Sequence, residues 1–228
     1  MKKRAYYKAY DDRYRQVHRE NLQWFSDEPS AIVAEVIQKF SIAPTANILE
    51  LGCGEGRDAG FLLSQGFDVL ATDVSEEAVS YCRKQFPDHG ECFKVLDFIT
   101  DELDERFDFI YGIAVIHMLV LDVDREAFYR FVADHLKPNG VALIGTMGDG
   151  NFERMSDVDV AFDLQDRIHD GSGRTVKVAG TSCRVVNFES FVREIESGGL
   201  TVAEQGVTAV EPDFPCMMYA VVKRKNCC

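Results

Sequence analysis

The chain has 228 residues, 46% of them hydrophobic, and 38 acidic against 25 basic side chains give it a net charge of −13. This length suffices for one domain with a full core, and no apolar run has the length of a membrane span. Because an acidic surface repels phosphate backbones, we expect neither a nucleic acid nor a membrane as a partner.

The first 28 residues are unusually rich in aromatic side chains, which are Tyr6, Tyr7, Tyr10, Tyr14, Trp24 and Phe25. Two interpretations of the tyrosines stay open: they close over a ligand as a lid, or they pack a helix into the core. A further helix is predicted from Pro29, because proline favours a first helical turn and apolar residues then recur at helical spacing. Its apolar face comprises Ile32, Val33, Val36, Ile37 and Phe40.

Strands and helices then alternate as far as residue 147. Short apolar strands are predicted at residues 47–51, 67–72, 92–96, 107–113 and 141–147. Helices are predicted at residues 57–65, from Ser75 to Pro87, and from about Arg125 to a turn at residues 137–140. This alternation predicts an α/β fold, doubly wound, with a parallel sheet and helices on both faces.

The end of the chain continues this pattern with one difference. A helix is predicted near residues 189–197, followed by strands near 200–210 and 217–223. The connection between these last two strands is too short to hold a helix. We therefore expect them to pair antiparallel.

Residues 148–187 interrupt the alternation with a polar, glycine-containing segment. A structureless segment of that length is uncommon inside a domain unless it is functional or disordered. We interpret it as an insertion that covers the site at the carboxyl ends of the strands. The apolar residues expected to anchor it are Phe152, Met155, Val160, Phe162, Leu164 and Ile168.

The seven cysteines lie at scattered spacings and match no zinc-ligand pattern, so no metal is predicted. Cys227 and Cys228 form a metal or redox tail or, on the simpler interpretation, a loose terminus. The basic start leads into Ala5-Tyr6-Tyr7-Lys8 rather than into the apolar region of a signal peptide. We expect a single domain over residues 1–228 in the reducing cytoplasm.

A glycine-rich loop follows the first predicted strand and opens a helix. It places glycines at positions 52, 54 and 56, where they let the backbone approach a ligand closely. The dinucleotide fingerprint G-x-G-x-x-G would need a glycine at the position of Arg57, and the phosphate-loop motif is absent. The G-x-G-x-G spacing favours a small zwitterion over a pyrophosphate.

Two carboxylates end the next two predicted strands. Asp73 lies about twenty residues after the first glycine, where a carboxylate can accept both ribose hydroxyls. Asp97 and Phe98 could hold an adenine between a carboxylate and an aromatic ring. The alternatives are a helix-capping role for Asp73 and a turn aspartate beside a core phenylalanine. At the end of the fourth strand, Gly112 and Ile113 would let a ligand lie on the backbone.

Together these segments resemble the class I S-adenosylmethionine-dependent methyltransferases. ILELGCGEG looks like the family's first motif, VLATD its second, VLDF its third, FDFIYGIAVIHML its fourth and LKPNGVALIGTM its post-strand region. The resemblance covers about residues 29–147 and is highly specific as a set. GCGEGRD, with QWFSDEPS upstream, is more narrowly similar to the tellurite-resistance and thiopurine methyltransferase branch.

The resemblance implies a Rossmann-like sheet of seven strands, the last antiparallel, and S-adenosylmethionine as cofactor. It implies that Glu50, Gly52 and Gly54 flank the methionine part, and that Arg57 and Trp24 approach this end or the substrate. It also implies Asp73 at the ribose, with Asp97 and Phe98 at the adenine. The full predicted cofactor site is Glu50, Gly52, Cys53, Gly54, Gly56, Arg57, Asp73, Val74, Asp97, Phe98, Gly112 and Ile113.

The residues expected to act on the acceptor carry less specific signals. His117, just beyond the fourth strand, and Asp149, just beyond the fifth, are the predicted catalytic residues. A buried, hydrogen-bonded histidine is the alternative for His117. The predicted substrate contacts are Tyr14, Trp24, His117, His169 and Arg184, although solvated loop positions are an alternative for the last two.

Methyl transfer to a small molecule is the predicted function, since the chain is short and acidic and the insertion would cover the site. A protein methyltransferase and a non-catalytic S-adenosylmethionine-binding module are the alternatives. Neither the acceptor nor the oligomeric state follows from these patterns.

Overall fold

The computed structural model describes residues 4–225, so the tail formed by Cys227 and Cys228 lies outside the described residues. The strands are β1 (Ile48–Leu51), β2 (Val69–Asp73), β3 (Phe93–Val95), β4 (Phe107–Ile113), β5 (Leu136–Met147), β6 (Arg154–Met155), β7 (Leu164–Ile168), β8 (Thr175–Ala179), β9 (Arg184–Val185), β10 (Leu200–Val210) and β11 (Phe214–Arg224). The helices are α1 (Ala9–Arg19), α2 (Ala31–Lys39), α3 (Arg57–Ser64), α4 (Glu76–Gln85), α5 (Asp122–His135) and α6 (Phe188–Ser197). Over residues 4–225, none of these helices is both long and apolar enough to cross a bilayer.

Seven strands form one sheet in the order β10-β11-β5-β4-β1-β2-β3. Strands β1 to β5 are parallel, whereas β11 pairs antiparallel with both β5 and β10. The three residues between β10 and β11 allow only a tight reversal, which explains the antiparallel pair. The predicted fold, a mostly parallel seven-stranded Rossmann-like sheet with its last strand antiparallel, is confirmed.

Helices cover both faces of the sheet and create two cores. On one face, α2, α3 and α4 bury residues such as Val33, Leu62 and Val79 against β1, β2 and β4. On the other face, α5 and α6 bury Phe128 and Phe191 against the central strands. The carboxyl ends of the parallel strands therefore meet at one edge that both helical layers leave accessible.

One local prediction differs from the structure. The turn predicted at residues 137–140 is the irregular first part of β5, because α5 runs directly into the strand and Leu136 pairs with Phe107. The register against β4 shifts between Phe107 and Phe109, and this irregularity accommodates the Pro138-Asn139 step. Between β3 and β4, where no helix is predicted, residues 96–106 contain only turns and irregular structure.

The segment at residues 148–187 is folded rather than structureless. It contains two small antiparallel sheets, β6 with β9 and the hairpin β7–β8. The prediction of its apolar anchors is wrong for five of the six, since these side chains are exposed: Phe152, Met155, Val160, Leu164 and Ile168. Instead, Val176 and Val178 alternate along β8 and pack against Val17 of α1. Successive side chains of a strand point to opposite faces, so Val176 and Val178 lie on the same face of β8. That face packs on the amino-terminal helix and holds it in place.

Candidate functional site

A cleft opens at the carboxyl ends of β1, β2 and β4. The space between its walls, including space open to solvent, amounts to about 940 Å³. Ten of the predicted cofactor residues line it: Glu50, Gly52, Cys53, Gly54, Arg57, Asp73, Val74, Asp97, Phe98 and Ile113. The structure therefore brings together in one cleft residues from four strand ends.

Gly52 and Gly54 line this cleft, and Gly56 follows them at the start of α3. Gly52, Gly54 and Gly56 have φ values of +72°, +53° and +84°, a region that other residues adopt only with strain. A Cβ atom on Gly54 would lie 2.8 Å from the Tyr14 hydroxyl, and one on Gly52 would overlap the Val115 side chain. The backbone can thus lie close to a ligand only because these positions carry no side chain.

Asp73 is held in the cleft by hydrogen bonds from the backbone. Its two carboxylate oxygens accept hydrogen bonds from the backbone N–H groups of Ser75 at 2.8 Å and Gly54 at 2.9 Å. Burial raises the pKa of the Asp73 carboxyl to about 6, against these hydrogen bonds, which favour the charged form. Asp73 therefore supports the glycine loop and also presents a carboxylate to the cleft.

Glu50 ends β1 beneath the cleft and is buried. Its Oε2 atom makes no hydrogen bond of good geometry with the described residues, although the Tyr111 hydroxyl lies beside the carboxyl and favours its charged form. Burial, with repulsion from Asp58, raises the pKa of the Glu50 carboxyl well above its usual value. A buried, unsatisfied acceptor is costly, and a ligand ammonium group in the cleft would satisfy it. This orphan acceptor and the glycine cradle fit the methionine end of S-adenosylmethionine.

Asp97 and Phe98 line the opposite end of the cleft. Lys8 Nζ lies 2.8 Å from Asp97 Oδ2, and the Tyr7 hydroxyl donates to the same carboxylate. Phe98 packs edge-on against Phe128, with 5.3 Å between ring centroids. The Asp97 carboxylate thus already has partners from the amino-terminal segment, and Phe98 serves the core as well as the cleft.

Several contacts at the site carry no signal in the local sequence. The guanidinium of Arg57 donates to Asp213, in the β10–β11 connection, at 2.9 Å. Glu55 accepts the backbone N–H groups of Trp24 and Phe25, which fixes the amino-terminal segment beside the glycine loop. These contacts join residues far apart in the chain, so only the fold reveals them.

A second cavity adjoins the cleft and lies beneath residues 148–187. Tyr10, Phe25, Met118 and Phe214 line both spaces and so form the boundary between them, which we call the aromatic gate. Three of the predicted substrate contacts line the second cavity and not the cleft: His117, Trp24 and His169. Arg13 lines the second cavity as well. Each of the two spaces can therefore hold one of two reacting molecules.

His117 lies in a 3₁₀ turn after β4 and is buried. Within the described part of the chain, its Nδ1 atom has no hydrogen-bond partner. Burial, together with the charges of Arg125 and Arg13, lowers the pKa of His117 to about 3. The alternative of a satisfied structural histidine therefore does not hold for Nδ1, and the imidazole is neutral.

Four of the predicted site residues line neither space. Gly112 is enclosed between Leu51 and Phe128, and a Cβ on Gly56 would face Phe86 and Cys82. Asp149 is exposed and accepts from the Asn151 N–H. Arg184 donates to the Val120 carbonyl and Asp122.

His169 lines the second cavity but also has structural partners. Its Nε2 contacts the Gln23 carbonyl, and its Nδ1 lies 2.9 Å from the Ser172 hydroxyl. Its ring therefore closes the β7–β8 turn onto the amino-terminal segment.

The amino-terminal tyrosines pack into the core, as one of the two interpretations expects, and three of them also line the cleft. All four are buried, and Tyr7, Tyr10 and Tyr14 line the cofactor cleft. Tyr6 does not: its hydroxyl accepts the Val120 N–H and donates to Asp124. The segment is thus part of the core and one wall of the cleft.

The family described as "Methyltransferase domain" matches residues 49–142. A ubiquinone biosynthesis O-methyltransferase from Rickettsia conorii is 31% identical over 101 residues, which cover 44% of this chain and 34% of that protein. A probable S-adenosyl-L-methionine-dependent methyltransferase TehB from Haemophilus influenzae is 25% identical over 118 residues, 50% of this chain and 41% of that one. The chain thus spans between a third and a half of the length of these relatives.

Among solved structures, the 1,6-didemethyltoxoflavin-N1-methyltransferase from Burkholderia thailandensis superposes with a TM-score of 0.72. The two are 15% identical, and the match covers 97% of this chain and 89% of that one. This likeness concerns the fold. With the family match, it confirms the predicted resemblance to class I S-adenosylmethionine-dependent methyltransferases, and the TehB match is consistent with the narrower resemblance.

Proposed function

We propose that the protein transfers the methyl group of S-adenosylmethionine to a small molecule that binds in the second cavity. The observation that carries this proposal is the pair of adjoining spaces with the aromatic gate between them. Residues 148–187 act in it as a cover over the acceptor, and residues 4–28 as the wall that separates both molecules from solvent.

The residues of the cleft fit S-adenosylmethionine from end to end. Glu50 would accept from the methionine ammonium group, and Asp73 from the ribose hydroxyls. Asp97 and Phe98 would lie at the adenine, with the carboxylate turning from Lys8 and Tyr7 towards the exocyclic amine. The sulfur would then lie near the aromatic gate, where the cleft meets the second cavity.

When bound, S-adenosylmethionine supplies a methyl carbon that its sulfonium already activates. The residues of this chain then have to align the acceptor with that carbon and exclude water. With a pKa near 3, the neutral His117 is too weak a base to deprotonate an alcohol at neutral pH, but its unpaired Nδ1 can orient an acceptor. Exposed Asp149 is outside both spaces. An acceptor that is ionised or nucleophilic without a strong base therefore suits the site.

The relatives with named substrates support a small acceptor. The Rickettsia protein is named for ubiquinone biosynthesis and the Burkholderia enzyme for a didemethyltoxoflavin. A protein methyltransferase would need an open groove, whereas residues 148–187 lie over the second cavity. A non-catalytic binding module needs only the first cleft, so the second cavity favours methyl transfer.

Calorimetry tests the cofactor part of the proposal. S-adenosylmethionine and S-adenosylhomocysteine should each give saturable heat, and NAD should give none, because Arg57 occupies the third glycine position of the dinucleotide fingerprint. In this structure Arg57 is also tied to Asp213 beside the loop. Saturable NAD binding with no heat from S-adenosylmethionine would overturn the proposed function.

A further inference from the structure

Arg13 is a buried cation that faces the second cavity. Arg13 lies on α1 and lines that cavity, and only 7% of the residue is exposed. Its Nε and Nη2 atoms donate to the backbone carbonyls of Ala179 and Gly180 at 2.8–3.2 Å. Across residues 4–225, no carboxylate forms an ion pair with its guanidinium. Neutral carbonyls thus provide its only hydrogen-bond acceptors in the described chain.

A buried charge without an ion-pair partner is costly, and an anionic ligand would offset this cost. Burial lowers the pKa of the Arg13 guanidinium, and the charge of Arg167 adds to this effect. Guanidinium groups nevertheless stay protonated in proteins, so the cavity carries a fixed positive charge. This occurs in a protein whose net charge is −13.

The acidic residues around the cavity do not neutralise Arg13. Asp213 is paired with Arg57 at 2.9 Å and accepts from Ser26. Asp166 and Asp170 are exposed at the mouth, where solvent screens their charge. The buried end of the cavity is therefore cationic.

Aromatic and unpaired polar groups surround this cation. The Trp24 ring stacks with the guanidinium, with 4.6 Å between the Arg13 Cζ atom and the ring centroid, and Tyr10 lies on another side at 5.3 Å. His117, 4% exposed and with an unpartnered Nδ1 among the described residues, faces the same space. Its ring lies 6.1 Å from that of Phe214 in the aromatic gate.

We propose that the second cavity takes a small aromatic anion, with the negative group on Arg13, the ring beside Trp24 and a polar substituent on His117. This assignment of the acceptor's chemical class rests on the proposed function. The guanidinium provides both charge and directed N–H groups for a carboxylate or phenolate. Arg13 is in this assignment a specificity-determining residue for the acceptor.

Trp24 gives a direct optical probe, because it is the single tryptophan of the chain. The protein is saturated with S-adenosylhomocysteine and titrated with 4-hydroxybenzoate or with 4-hydroxybenzamide, which has the same shape without the charge. We expect Trp24 emission to change saturably with 4-hydroxybenzoate, at an affinity about tenfold or more above that for the amide. This ratio corresponds to one hydrogen bond to a charged group. Equal affinities, tighter binding of the amide or no response to either probe would overturn the inference.

Variants locate the effect at Arg13. Arg13→Met should abolish the preference for the anion, and Arg13→Lys should retain part of it, because the ammonium keeps the charge but lacks the planar, stacked donors of the guanidinium. Arg19→Met is the matched control, since it removes one exposed cation from the same helix and should change nothing. If Arg13→Met does not fold, the ratio of the two affinities in the wild type and in Arg13→Lys still tests the assignment. A wild-type preference for the amide, or none for either probe, would overturn it. A preference that survives in a folded Arg13→Met protein would contradict the assignment.

The same samples separate this inference from the proposed function. Calorimetry with S-adenosylhomocysteine reports on the cofactor cleft, which Arg13 does not line. Normal cofactor binding without an anion preference contradicts the acceptor class alone. Absent cofactor binding contradicts the proposed function, whatever the two aromatic probes do.

Discussion

Replacing Gly52 with alanine should lower the affinity for S-adenosylhomocysteine by about a hundredfold, a free-energy change of about 2.7 kcal/mol. The new Cβ would overlap the Val115 side chain at a backbone φ of +72°. Left-handed backbone alone costs a residue other than glycine about 1–2 kcal/mol, and relieving the overlap must displace the loop that holds the cofactor. Calorimetry measures the affinity, and thermal melting reports the accompanying loss of stability.

Gly66→Ala is the matched control for this prediction. Gly66 has a φ of +81°, but an added Cβ would meet no atom of the described chain within 4 Å. This variant therefore incurs the backbone strain without the overlap, at the end of α3 and away from the cleft. Its melting temperature should fall while its cofactor affinity stays unchanged. Equal losses of affinity in both variants would show that strain, and not the shape of the cleft, is responsible.

Asp73→Ala should weaken cofactor binding by about tenfold or more and leave a cooperatively folded protein. A hydrogen bond to a charged group contributes about 1.5–3 kcal/mol, and the variant loses those proposed to the ribose. It also loses the hydrogen bonds that the Gly54 and Ser75 N–H groups donate to Asp73, which hold the glycine loop in place. Asp68→Ala, which removes an exposed carboxylate at the other end of β2, is the control. An affinity unchanged from wild type would leave Asp73 only its role in supporting the loop.

The same carboxylate predicts a pH dependence. Burial raises the pKa of Asp73 to about 6 in the cofactor-free protein, so the carboxylate predominates above pH 6 and the neutral acid below it. The affinity for S-adenosylhomocysteine should be constant near pH 7–8 and fall by up to about tenfold per pH unit below 6. In Asp73→Asn this contribution should disappear. A wild-type affinity that rises on acidification would contradict the proposed role.

The sheet and the cofactor cleft could be predicted because their signals are local. A strand, a glycine loop and a helix occupy consecutive residues around Gly52, and Asp73 ends the next strand. Parallel topology then brings these ends together, whatever the rest of the chain does. Ten of the predicted cofactor residues line the cleft for this reason. Gly112 does not line the cleft, because it lies one residue before Ile113 and neighbouring positions in a strand face opposite sides.

The acceptor side could not be predicted because its contacts are long-range. Arg13 meets the Ala179 carbonyl across 166 positions, and Arg57 meets Asp213 across 156. Hydrophobicity alone also misplaced the anchors of residues 148–187, since it counts apolar residues without their strand face. The alternation of Val176 and Val178 in β8 was the available signal, because period two marks the buried face of a strand.

A crystal structure of the protein with S-adenosylhomocysteine tests the central claim most directly. The account predicts the ribose hydroxyls at hydrogen-bonding distance from Asp73, the homocysteine amino group at Glu50 and the sulfur at the aromatic gate, facing the cavity of Arg13 and His117. The adenine should lie beside Phe98. A cleft without ligand at saturating concentration, or a sulfur atom turned away from the gate, would contradict it.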